Sequence, residues 1–286
     1  MTDHHHPGHD HPGHDHHADH DHHDDDGLAE LLDLDAEVLH EYLAEVLGWL
    51  HERSGGRTRR IVDLGSGSGT GTLALARRFP EAEVVAVDTS APMLHRVRDK
   101  ARALGLAERI HTRQADLDAG WPALEPVDLA WASASLHHLV DPDRVLTEVL
   151  AQLRPGGLFA VVELASFPYF LPADLAIGRP GLEDRCHAQI NHDVPLLGAD
   201  WGPRLRKAGF TVEAERRFAI ELTPPLPAAA GRYAQLTLGR LRDGLGDRLD
   251  AEDRATLDTL LSHDALLSRT DLTVRTTRTV WLAVRP

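Results

Sequence analysis

The run IVDLGSGSGTG, Ile61 to Gly71, constrains this chain more than any other stretch. Arg60 to Leu64 reads as a short strand, with Ile61, Val62 and Leu64 its apolar residues, and glycine then stands at every second position, at Gly65, Gly67, Gly69 and Gly71. Thr70 to Arg78 continues with helical spacing, so the whole is a strand, a turn whose backbone can approach a ligand, and a helix. The alternation goes on: strand Glu83 to Val87, helix Pro92 to Leu104, strand Ile110 to Gln114, strand Val127 to Trp131, helix Arg144 to Leu153 and strand Leu158 to Leu164. Strands and helices in this order imply an α/β fold with a parallel, doubly wound sheet, because parallel neighbours need long crossover connections.

Ahead of this unit, Leu28, Leu31, Leu32, Leu39, Leu43, Val46, Leu47 and Leu50 mark one helix with a single apolar face. After Leu164 the pattern breaks into prolines and mixed polar residues, an expected lid or substrate segment over 166–202. Helix 203–208, strand 210–222, helices 228–245 and 251–262 and a last strand 272–284 complete the chain. The expectation is one domain over 27–286, with a core at 57–165 and a C-terminal part at 203–286. Its sheet is doubly wound, seven-stranded and mostly parallel, with helical elaborations and no second core.

Residues 1–26 hold eleven of the chain's 20 histidines and eight of its 45 acids, without a single Lys or Arg. Nothing there can be buried, so the segment reads as a disordered tail. Its imidazoles and carboxylates are able ligands for a divalent metal such as nickel, zinc or copper. Leaving out those eight acids reduces the formal charge of −15 to about −7. That mild acidity argues against nucleic acid or an anionic membrane and for a small-molecule partner. The one cysteine, Cys186, excludes a disulfide within the chain and fits a cytoplasmic protein. No apolar run approaches the length of a membrane span.

Glycine turns after a strand hold triphosphates, dinucleotides or S-adenosylmethionine. A triphosphate loop needs a lysine, and residues 65–79 have none. A dinucleotide fingerprint places glycines at relative positions one, three and six. From Gly65 the sixth residue is Thr70 and from Gly67 it is Thr72; only Gly69, Gly71 and Ala74 fit the looser GxGxxA form. An NAD-linked oxidoreductase would rest on that late register. The other pattern is an acid followed by alternating glycines, Asp63 to Gly69. Asp88, closing the second strand, can accept from ribose hydroxyls and suits any nucleoside ligand.

Together these residues resemble the class I S-adenosylmethionine-dependent methyltransferases, whose first motif is [DE]xGxGxG at the end of the first strand. Asp116 follows the third strand, where that family carries an acid. WASASLHHL, Trp131 to Leu139, looks like its ALHHL segment, and LRPGG, Leu153 to Gly157, like its LKPGG turn. The resemblance covers roughly Ile61 to Glu163 and implies a Rossmann-like fold and methyl transfer from S-adenosylmethionine. It implies that Asp63, Gly65, Ser66, Gly67 and Gly69 line the methionine end, that Asp88 and Thr89 hold the ribose, and that Met93 flanks the adenine. Asp116 and Leu117 would read the adenine edge, and Ser133 would lie beside the sulfonium.

His137 and His138 are the candidates to orient the acceptor or take its proton. Glu163, Tyr169, Cys186, His187, His192 and Asp193 are further polar candidates near or within the expected lid. The Asn-Pro-Pro-Tyr element of many members that methylate nucleic-acid and protein amino groups is absent, which points to a small-molecule acceptor. A remaining alternative is a non-catalytic metal-binding or regulatory protein that keeps the adenosyl compound as a ligand only.

Overall fold

The computed structural model describes the backbone of residues 16–262 and 264–286, with side chains from Asp26 onward. Most of the expected metal-binding tail lies outside the described residues; the described chain starts within α1 (His16–Val38), which runs from the segment set aside as a tail into the body. The one helix expected from Leu28 to Leu50 is two, α1 and α2 (His40–Arg53). They part at Leu39, whose φ of −99° and ψ of 23° leave the helical region. The amide of Leu39 still donates to Asp35 O and that of Leu43 to Leu39 O, so one apolar stripe continues across a bend.

The sheet builds as the alternation requires. β1 (Arg60–Leu64), α3 (Thr70–Arg78), β2 (Glu83–Asp88), α4 (Ala91–Ala103), β3 (Ile110–Gln114), β4 (Val127–Ser133), α5 (Pro142–Gln152) and β5 (Leu153–Leu164) come first. Then follow α6 (Leu182–Ile190), α7 (Gly202–Lys207), β6 (Thr211–Leu222), α8 (Ala230–Leu245), α9 (Ala251–Leu261) and β7 (Val274–Val284). The strand order is β3-β2-β1-β4-β5-β7-β6, with β7 antiparallel to both its neighbours. Chain direction across the sheet reverses between β1 and β4. A doubly wound sheet opens a crevice at that switch point, outside the carboxyl ends of its strands.

Alternating residues of the central strands are buried on both faces, as a sheet covered on both sides demands. Ile61, Leu129 and Val162 join Leu50, Leu75 and Leu94 on one face. Val62, Leu64 and Ala132 join Leu146, Val149 and Leu205 on the other. A third cluster corrects the expectation of a single core: Phe170, Leu182, Cys186, Tyr233, Leu257 and Val274 are buried together among α6, α8, α9 and β7. Part of it comes from the segment read as irregular. There the nine-residue α6 buries Leu182 and Cys186 four positions apart, a repeat too short to stand out between prolines and glycines. Among the described residues no helix is long and apolar enough to cross a membrane.

Candidate active site

A cavity of about 560 Å³ occupies the switch-point crevice. Its floor is the turn after β1. The amides of Gly65 and Ser66 both donate to Val87 O, at 2.9 and 3.0 Å, and that of Gly67 donates to Asp88 Oδ2 at 2.8 Å. Asp88 Oδ1 accepts from the Ser90 amide at 2.9 Å, so one carboxylate ties this turn to the start of α4. Gly65 has a φ of +68° and Gly67 of +50°, a region that side-chain-bearing residues enter at a cost. A Cβ on Gly65 would meet Ser135 Cβ at 2.5 Å; one on Gly67 would meet only the movable tip of Leu32, at 2.7 Å.

Asp63 is buried in β1 just ahead of the turn, with its Oδ2 accepting from Thr72 Oγ1 at 2.6 Å. Burial pushes its carboxyl up to about 7; the Thr72 hydroxyl opposes that shift and the charge of Asp88 adds to it. A cationic ligand group beside Asp63 would restore the ionised form. Two buried polar atoms of lining residues, Ser66 Oγ and Trp131 Nε1, have no partner among the described residues. Buried polar atoms left bare are costly, and both suit the polar end of a ligand held over the turn.

The loop after β4 forms the opposite wall. Ala134 sits at a φ of +51°, strained for an alanine and held by its amide donating to Val162 O at 2.8 Å. Glu163, buried at the end of β5, fastens the next three residues. Its Oε1 accepts from the amides of Ser135 and Leu136, at 3.1 and 2.8 Å, and its Oε2 lies 2.6 Å from His137 Nδ1. His137 is thereby buried against Glu163 and does not line the cavity, which corrects its place among the candidate proton acceptors. His138 does line it. The residue is exposed, yet partial desolvation of its ring lowers the imidazole pKa, and His137 lowers it further while Glu163 opposes, so the ring is neutral at pH 7.

Of the residues expected at the site, Asp63, Gly65, Ser66, Gly67, Asp88, Thr89, Met93, Asp116, Leu117, Ser133 and His138 line this one cavity. Gly69 does not: it caps α3, and a Cβ there would meet Val97 at 2.7 Å, so it shapes the turn from behind. No residue of the expected lid, 166–202, lines the cavity; that wall comes from α1 and α2, through Leu28, Leu32, Asp35, Leu39 and Tyr42. Cys186 and His187 are buried in α6, where burial raises the thiol to about 11 and lowers the imidazole to about 4. Tyr169 stacks edge-on against His187, His192 is exposed, and Asp193 pairs with Arg248.

Sequence reasoning passed over Asp35, Tyr42, Trp131, Ser135 and Arg278, all of which line the cavity. Arg278 left a signal, as a charged residue alternating with Val274, Thr276 and Val280 on one face of a strand. Among the described residues no group of three or more His, Cys, Asp or Glu could hold a metal ion.

A family model described as a methyltransferase domain matches residues 61–157. Over 212 residues the chain is 31% identical to a trans-aconitate 2-methyltransferase of Mycobacterium sp. (strain KMS), covering 70% of this chain and 78% of that one. The chain belongs to the class I S-adenosylmethionine-dependent methyltransferases. A trans-aconitate 2-methyltransferase of Azoarcus sp. (strain BH72) is 45% identical over 101 residues, 35% of this chain and 37% of that one. The chain spans half or less of the length of several curated relatives it matches. The structure of a geranyl diphosphate methyltransferase in complex with SAM shares the fold, at a TM-score of 0.51 and 16% identity over 90% of each chain. In this methyltransferase fold Gly71 and Ala74 lie inside α3 and Gly69 at its cap, so the dinucleotide register GxGxxA does not form the ligand turn.

Proposed function

We propose that this methyltransferase moves a methyl group from S-adenosylmethionine to a small-molecule acceptor. The observation that carries the reading is the convergence of the acid-glycine turn, Asp88, Asp116 and His138 on one cavity roofed by α1 and α2. Asp63 and the bare Ser66 Oγ and Trp131 Nε1 suit the amino-acid end of the donor. Asp88 suits the ribose hydroxyls, Met93 and Leu117 the adenine faces, and Asp116 the adenine amino group. When bound, the sulfonium supplies an activated methyl and its own leaving group.

What remains for the chain is alignment, desolvation and any proton transfer. Glu163 holds the β4 loop and so sets where Ser133 and His138 stand. His138, neutral at pH 7, can accept a proton from an acceptor hydroxyl or amine or orient it by a hydrogen bond. Leu28, Leu32 and Leu39 give the roof an apolar inner surface that excludes water. The trans-aconitate methyltransferases among the relatives favour a small acid as acceptor, and the single cysteine fits a cytoplasmic setting.

Incubating the protein with methyl-labelled S-adenosylmethionine and fractionated cell extract tests this. Label is expected in a low-molecular-weight product; label confined to protein or nucleic acid would overturn the choice of acceptor class. His138→Gln is expected to lower kcat by roughly 10² to 10³-fold if the ring moves the proton, with donor affinity unchanged. The parent chain assayed at several pH values is expected to show an acid limb below the ordinary histidine range, which His138→Gln lacks.

A further inference from the structure

The cavity has a polar end built from residues to which the donor reading gives no role. Arg278 reaches it from β7, 6% exposed, on the sheet face it shares with Val280 and, across the strand pair, Leu164. Its Nη2 donates to Asp35 Oδ1 at 2.6 Å, and the Tyr233 hydroxyl donates to the same oxygen at 2.5 Å. That leaves the buried Nε of Arg278 without a partner, and the buried hydroxyl of Tyr42 is equally bare. The Tyr233 hydroxyl also lies against the Arg278 guanidinium. Asp35, Tyr42 and Arg278 all line the cavity.

Asp35 therefore balances the charge of Arg278, but with Tyr233 it leaves the guanidinium's Nε–H, one of five N–H groups, unanswered. The cluster has a surplus of donors, which an entering oxyanion would satisfy and an entering cation would not. The rest of the cavity repels anions: Asp63, Asp88, Asp116 and Asp118 line it, and among its described lining residues Arg278 is the only lysine or arginine. A guanidinium is the side chain best matched in shape to a carboxylate. Leu39, Leu43 and Val162, also in the lining, offer an apolar bed for a carbon skeleton.

We propose that this end is the acceptor subsite and that the acceptor carries a carboxylate, held by hydrogen bonds from the Arg278 guanidinium and the Tyr42 hydroxyl. Tyr233 keeps Asp35 partnered while the two carboxylates share one guanidinium. The proposal rests on the methyltransferase reading of the cavity, since it assigns the space left beside the donor.

The test is calorimetric titration of the full chain, with and without S-adenosylhomocysteine, using trans-aconitate, malonate and benzoate, their methyl esters, and pyrophosphate. At least one free acid is expected to bind, with its ester weaker by roughly tenfold or more, the scale of one lost charge-assisted bond. Arg278→Gln should weaken that acid by roughly tenfold or more and Tyr42→Phe by several-fold, with S-adenosylhomocysteine affinity held within about twofold. Tyr42→Phe removes one oxygen and no charge, so it carries the test if Arg278→Gln fails to fold. Esters binding as well as acids, pyrophosphate outcompeting every carboxylate, or both variants matching the parent chain would each overturn the subsite. Loss of S-adenosylhomocysteine binding by the parent chain would instead speak against the methyltransferase reading, and the acid titrations without it still decide the subsite.

Discussion

Gly65 and Asp63 place opposite demands on neighbouring positions of one turn. Gly65 needs both its positive φ and its missing side chain, since a Cβ would fall 2.5 Å from Ser135 Cβ. Gly65→Ala is expected to cost about 2 kcal/mol or more of stability and most of the donor affinity. Gly71 lies in α3 with no positive φ, and a Cβ there would stand 3.2 Å from Trp131 Nε1 and 3.3 Å from Asp63 Oδ2. Gly71→Ala is therefore the milder change; thermal unfolding and donor titration of both variants check the order.

Burial holds the Asp63 carboxyl up at about 7, against an ordinary 3.8. The folded chain thus keeps a proton there that the unfolded chain sheds, so this residue's contribution to stability falls as pH rises from about 4 to 7. Binding of the donor's ammonium favours the carboxylate, so donor affinity is expected to climb with pH up to about 7 and level off above it. Asp63→Asn should flatten that climb in calorimetry between pH 5.5 and 8.

Most of the residues expected to hold the donor line the one cavity, because their type and spacing are set along short stretches that end at the same edge of the sheet. Arg278 was not legible in that way: its partner Asp35 is 243 positions away, and only the antiparallel insertion of β7 beside β5 brings it to the cavity.

The element that most directly serves the chemistry is the loop after β4, and it depends on β5. Glu163 accepts from two loop amides, one of them part-buried, and pairs with the buried His137. Glu163→Ala is expected to cost about 3 kcal/mol or more, because it strips a buried histidine and two amides of their partner. Urea unfolding checks the stability, and kinetics should show kcat falling further than donor affinity. Elements with strong, uninterrupted periodicity were legible to the residue: β1, α3 and β3 have the bounds their patterns predict. α6 and the break at Leu39 were hidden, one by its brevity and the other because the apolar stripe runs on through the bend.

Across the whole molecule, three apolar clusters divide the work. Two cover the sheet, and the third, built on α6, α8 and α9, holds α1 in place through residues such as Val38 and Leu39. The parallel sheet and its switch point were readable from alternation, since crossover connections leave few arrangements. The third cluster was not, because its members come from six separate segments that share no local pattern. Its consequence is that α1 forms part of the cavity wall. Removing residues 1–15 is expected to leave donor affinity within about twofold, whereas removing 1–39 also takes Leu28, Leu32 and Asp35 from the cavity wall and should abolish it.

Calorimetric titration of the intact chain with S-adenosylmethionine, S-adenosylhomocysteine and NADH tests the central claim most directly. Both adenosyl compounds should bind at one site per chain, with affinity lost in Gly65→Ala, and NADH should give no heat of binding. Binding of NADH with neither adenosyl compound bound would contradict it.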